Sequence, residues 1–248
     1  KRLVYMTYQD TPTKRPFTSI SLYEIDLNTL AVDTIATDTG FISQAYYSPD
    51  GKKLLIIGSA AAFDNLGKNC GSHPIPNDFD NQAYIMDLAT KEVKAISLDF
   101  DPNIDGFIHW AKGDGKIYFR GEDGFYSRIF VYDPKTEKYD RLPIEGDYVS
   151  TFSMSKEKPS QIAYIGEGYD HAGVAYLYDV KKRSNKLLAD PFKKTLDKIN
   201  LAKDESWTFT ASDGTVIDGV ICYPPDFDPA KKYPLIVYYY GGTNPSER

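Results

Sequence analysis

One pattern recurs four times along the chain and limits what it can fold into. An aromatic residue, two further residues, an aspartate and a turn appear as Tyr23-Glu-Ile-Asp26, Tyr84-Ile-Met-Asp87, Phe130-Val-Tyr-Asp133 and Tyr176-Leu-Tyr-Asp179. The aspartates are 61, 46 and 46 residues apart. Each stands where a strand ends and a turn begins, and its carboxylate can accept backbone N–H bonds two residues on. A second element recurs between them. It reads Tyr47-Ser-Pro-Asp-Gly51 before Lys53–Ile57, Trp110–Gly115 before Lys116–Phe119, and Phe152–Lys156 before Gln161–Ile165, while Leu3–Tyr8 is the same strand of a preceding unit. A period in the forties filled with short strands is the signature of a β-propeller, whose blades bury their faces only by stacking on neighbours. About three blades and parts of a fourth are expected, with the aromatics as packing between blades and the aspartates as turn stabilisers rather than metal ligands.

The wider first interval holds an insertion of about fifteen residues, placed within Ser59–Asp80. It reads as a surface loop, with binding or subunit contact as the alternative. Twenty tyrosines and thirteen phenylalanines suit strands, and hydrophobic residues at 42% allow a core. A net charge of −6 with both signs interspersed leaves no basic patch for nucleic acid. Cys70 and Cys222 lie too far apart for a disulfide framework, and Cys70-Gly-Ser-His73 is too sparse for zinc, so no cofactor or metal is expected. His109-Trp110 and His171 fall at strand-like positions and read as structural rather than catalytic. No apolar run has the length to span a bilayer. The chain opens on Lys1-Arg-Leu-Val-Tyr without an initiator Met and stops abruptly, and so reads as a fragment.

After the repeats the pattern changes. Trp207–Pro225 reads as two alternating strands around an Asp213-Gly214 turn. Asp226–Pro234 follows, and then Leu235–Tyr239, an apolar run expected to be a buried strand, leads into Gly241-Gly242. Over about 43 residues, Ser206 to Arg248, this order resembles the entry to the hydrolase domain of the prolyl oligopeptidase family of serine peptidases, with its dipeptidyl peptidase and acylaminoacyl-peptidase branches. The expected fold class is mainly β: a partial propeller of four-stranded antiparallel blades followed by the first strands of an α/β-hydrolase domain. The expected division is 1–190 for the blades, 191–205 for a connection and 206–248 for the truncated hydrolase part.

The resemblance implies a serine peptidase that cleaves short peptides by Ser-His-Asp acyl transfer, with the propeller gating access. No Gly-x-Ser-x-Gly elbow occurs in the 248 residues, so the triad is expected downstream. Tyr240, immediately before Gly241-Gly242, matches the tyrosine whose hydroxyl stabilises the tetrahedral intermediate in this family; some branches carry His there. The paired glutamates that bind a substrate amino terminus in dipeptidyl peptidase IV relatives have no counterpart here. The resemblance allows a homodimer and favours an exported or periplasmic location over a cytoplasmic one. Two rivals stand beside it: a non-catalytic propeller binding module like TolB, and an esterase on the same hydrolase fold.

Overall fold

The computed structural model describes residues 1–13, 17–69 and 81–239. It is 52% strand and 4% helix. The strands come in consecutive antiparallel groups. β1 (Arg2–Asp10), β2 (Thr18–Asp26) and β3 (Val32–Ala36) form a three-stranded sheet. β4 (Ile42–Tyr47), β5 (Lys53–Ser59), β6 (Asn81–Asp87) and β7 (Val93–Ala95) form the first four-stranded one. β8 (Asn103–Trp110), β9 (Ile117–Asp123), β10 (Tyr126–Asp133) and β11 (Lys138–Arg141) form the next. β12 (Tyr148–Met154), β13 (Gln161–Gly168), β14 (His171–Asp179) and β15 (Ser184–Ala189) form the last. In each four-stranded sheet the strands lie side by side in chain order, as in propeller blades.

Asp87, Asp133 and Asp179 each end the third strand of a four-stranded sheet, and Asp26 ends β2, the next-to-last strand of the three-stranded one, so the repeat holds in three dimensions. Each carboxylate accepts backbone N–H bonds from its own turn. Asp26 Oδ1 takes them from Asn28 (2.7 Å) and Thr29 (3.1 Å), and Asp87 Oδ1 from Ala89 (2.9 Å) and Thr90 (3.2 Å). Lys135 (2.9 Å) donates to Asp133, and Lys182 (2.8 Å) to Asp179. Four residues after each aspartate the chain turns left-handed, at Leu30 (φ 60°), Lys91 (62°), Glu137 (56°) and Arg183 (51°).

The chain divides into two compact units, and the division falls within the third sheet. The first comprises Lys1–Gly121, Phe130–Asp140 and Lys156–Lys158. Its core shows why Leu54-Leu-Ile-Ile57 is apolar without alternation. Successive strand residues point to opposite faces. Leu54 and Ile56 join Leu22, Tyr84 and Met86 on one side of the sheet. Leu55 and Ile57 join Ile104, Ile117, Phe119 and Phe130 on the other. A strand packed on both faces must be apolar at every position. Phe100, in the loop before β8, centres an aromatic group, with ring centroids 5.6 Å from Phe119, 5.0 Å from Phe130 and 4.1 Å from Tyr139.

The described part of the insertion, up to Asn69, contains three consecutive left-handed residues, Phe63, Asp64 and Asn65. Phe63 packs edge-on against Tyr84 at 5.2 Å, and the Tyr84 hydroxyl donates to the Ser59 carbonyl at 2.7 Å. Its remainder, with Cys70 and His73, lies outside the described residues.

The second unit comprises Glu122–Ile129, Arg141–Ser155 and Pro159–Arg248. Val149, Phe152, Ile162, Tyr164, Val174 and Tyr178 are its buried centre. β16 (Asp204–Thr210) and β17 (Val216–Cys222) then pair as an antiparallel hairpin. Its turn is the expected one: Asp213 Oδ1 accepts from the Thr215 N–H at 3.0 Å, and Gly214 has φ 90°. Leu235–Tyr239 departs from expectation. It forms no strand and is exposed, Ile236 by 91%. A strand needs a neighbour to satisfy its N–H and C=O groups, and no sheet among the described residues provides one. Tyr240 and Gly241-Gly242 lie outside the described residues.

Candidate functional site

Two places on the described residues gather polar groups in an ordered way, one in each unit. In the second unit, a cavity of about 250 Å³ opens beside the β13–β14 hairpin. Tyr148 of β12, Glu167 and the Tyr169-Asp170-His171 turn line it, with Leu196 from the connecting segment as an apolar wall. The hairpin is shaped around the imidazole. A β-carbon at Gly168 would stand 2.7 Å from His171 Cε1 and 3.1 Å from Nδ1, so a side chain there would push the ring out of this position. His171 Nδ1 lies 2.6 Å from Asp170 Oδ1, and a carboxylate accepts the Nδ1 proton there. Nε2 is buried without a hydrogen-bond partner among the described residues. Among the described residues, neither serine nor cysteine lines the cavity beside this carboxylate–imidazole pair.

The same unit ties the hairpin of β16 and β17 to the tip of β9–β10. The Tyr126 and Ser206 hydroxyls are 2.7 Å apart. Arg128 lies over the Tyr126 ring, its Cζ 4.3 Å from the centroid, and is 3.7 Å from Asp147. Tyr164 donates to Asn185 Oδ1 at 2.8 Å and accepts the Glu145 N–H at 2.8 Å, and burial pushes its phenol above the ordinary range. These are structural bonds: each holds a loop or strand end in place.

In the first unit, Arg120 of β9 makes a two-point ion pair with Asp105 of β8, Nε to Oδ2 at 2.6 Å and Nη2 to Oδ1 at 2.9 Å. Its guanidinium carbon is 4.6 Å from the centre of the Phe107 ring. Sequence reasoning did not single out Asp105, Phe107 or Arg120. Nothing in Asn103-Ile-Asp-Gly-Phe-Ile-His-Trp110 marks a left-handed phenylalanine, although Gly106 hints at an irregular strand. His171 was set aside as structural, yet it lines the cavity. Trp110 is structural as expected, its indole donating to the Gly115 carbonyl at 3.2 Å. No group of three metal-ligating side chains occurs among the described residues, and no helix of the described residues is long and apolar enough to cross a membrane.

These sheets define a class: the chain carries successive blades of a β-propeller. It overlays the β-propeller domain of the Trilobed protease from Pyrococcus furiosus with a TM-score of 0.55 and 17% identity, over 76% of this chain and 49% of that one. TolB from Acinetobacter baumannii gives 0.53 and 21%, over 77% and 41%. No family model matches the chain. In sequence it is 26% identical over 204 residues to dipeptidyl-peptidase 5 of Porphyromonas gingivalis, covering 82% of this chain and 27% of that protein. The family recognised from Ser206–Arg248, the propeller-bearing prolyl oligopeptidases, is the family of this relative. The chain thus spans about a quarter of the relative's length.

Proposed function

We propose that the protein of which these residues are part is a serine peptidase acting on short peptides, and that the blades gate access to its active site. One observation carries the proposal: the relationship to a dipeptidyl-peptidase along most of the chain. The hairpin Asp204–Cys222, which follows the last described blade, supports it, because its two strands pair with each other and belong to none of the blade sheets. On this proposal residues 1–190 are blades, 191–205 connect, and 206–248 begin the hydrolase domain. Sequence outside the 248 residues supplies the serine nucleophile, the histidine that takes its proton and the aspartate that orients the histidine. Tyr240 donates a hydrogen bond from its hydroxyl to the oxyanion as the scissile carbonyl becomes tetrahedral.

A binding module without catalysis is the second proposal; the propeller blades alone, a fold shared with TolB, are compatible with it. Assay of the full-length protein on dipeptidyl and blocked-peptide chromogenic amides separates the two. Amide hydrolysis that a serine-directed phosphonate abolishes supports the peptidase. Absence of hydrolysis on every amide, with no labelling by the phosphonate, overturns it in favour of the binding module.

A further inference from the structure

The cavity beside the β13–β14 hairpin has no part in the proposed peptidase chemistry, and its charge is one-sided. Tyr148 of β12 stands opposite Glu167 of β13, and both line it. The hairpin turn adds Tyr169 and Asp170, and Leu196 and Leu201 enter from the connecting segment. Two carboxylates, those of Glu167 and Asp170, therefore border a space whose other walls are largely aromatic and aliphatic. No lysine or arginine lines it.

His171 offers a ligand no nitrogen, because Nδ1 is engaged by Asp170 at 2.6 Å and Nε2 is shut off from solvent. Asp170 gives the ring only Oδ1, and its side chain is 76% exposed, so its second oxygen remains available. Glu167 is half-buried. Neither carboxylate forms an ion pair with a lysine or arginine among the described residues. The surroundings carry the same sign. Burial, and then the carboxylates of Glu145, Asp190 and Asp170, push the Tyr176 phenol above its ordinary value. Lys193, which also feels Asp190, is tied to Asp197 at 2.9 Å. A carboxylate drawn partly out of water without a counter-ion is unfavourable, and a cation bound beside it offsets that penalty.

We propose that this cavity binds a small organic cation, an ammonium group on a short apolar stem. The ammonium is held by the Glu167 and Asp170 carboxylates, and the stem packs on Leu196 and Leu201. At about 250 Å³ the space suits a compact molecule rather than a peptide segment. Because the two leucines belong to the connecting segment, occupancy also ties that segment to the last blade. The proposal uses only residues of the second unit and stands whether or not the whole protein is a peptidase.

The test uses the 248-residue chain and three probes of matched shape: 2-phenylethylammonium, neutral 2-phenylethanol and anionic phenylacetate. Ligand-observed NMR titrations at constant ionic strength are made on wild type, Glu167→Gln and Leu196→Lys, with urea denaturation of each. Leu196→Lys places a competing cation at the cavity wall. It decides the matter alone if Glu167→Gln does not fold. Wild type should bind the ammonium with a dissociation constant on the order of 1 mM, the range for so few atoms. The alcohol should bind about three- to tenfold more weakly, and the carboxylate more weakly still. Glu167→Gln and Leu196→Lys should each remove most of the preference for the ammonium over the alcohol. No binding of the ammonium to wild type, equal binding of the three probes, or an undiminished preference in either folded variant overturns the proposal.

Discussion

The four turn aspartates show how much a single residue type can specify. Their spacing was legible because an aspartate at a strand end has one dominant local use, accepting the N–H groups of its own turn. Those bonds stabilise the charged form. The Asn28 N–H beside Asp26, the Thr90 N–H beside Asp87 and the Lys135 N–H beside Asp133 hold the three carboxyls below the ordinary aspartate range. A depressed folded-state pKa means that the unfolded chain binds more protons, so stability is present above pH ~4 and is lost as pH falls below it. Replacing the three by Asn should flatten that acid limb in a series of denaturation curves against pH. The left-handed residue four positions on was not legible, since Leu, Lys, Glu and Arg carry no mark of positive φ. Leu30 is 69% exposed and contributes little packing. Leu30→Gly should therefore raise stability by up to about 1 kcal/mol, the strain relieved less the entropy glycine loses. A lower urea midpoint would count against strain at that turn.

At the scale of elements, strands and sheet order followed from period and turn chemistry, and the two-sided burial of β5 explains why its apolar run is continuous. The same signal misled at Leu235–Tyr239. A run of β-branched and aromatic residues states a preference for extended backbone, but a strand exists only where a partner supplies hydrogen bonds and a face to pack on. The described residues give Leu54–Ile57 both and Leu235–Tyr239 neither. Phe100 is the opposite case. It lies in a loop with no periodicity around it, yet touches the rings of Phe119, Phe130 and Tyr139. Phe100→Ala removes the ring and leaves its cavity among side chains that cannot easily collapse, which should cost about 3–5 kcal/mol. Urea denaturation of the variant checks this; a loss under ~1 kcal/mol would mean the aromatic group repacks.

At the scale of the whole molecule, the blades are legible from repetition, whereas the chemistry depends on one short segment. Tyr240 follows Tyr238-Tyr239 and precedes Gly241-Gly242, and the two glycines add no side-chain bulk next to it in sequence. If Tyr240 donates to the oxyanion, its bond is made mainly as charge develops on the substrate oxygen, so removing the hydroxyl should spare ground-state binding. In the full-length protein, Tyr240→Phe should lower kcat roughly ten- to a thousand-fold and change KM little, with the fold intact because the ring remains. A packing role predicts the opposite: unchanged kcat, and any loss appearing in the melting temperature. Steady-state kinetics on a chromogenic dipeptidyl amide, paired with thermal denaturation of the same preparations, distinguishes the two, and an unchanged kcat at normal stability would make Tyr240 a packing residue.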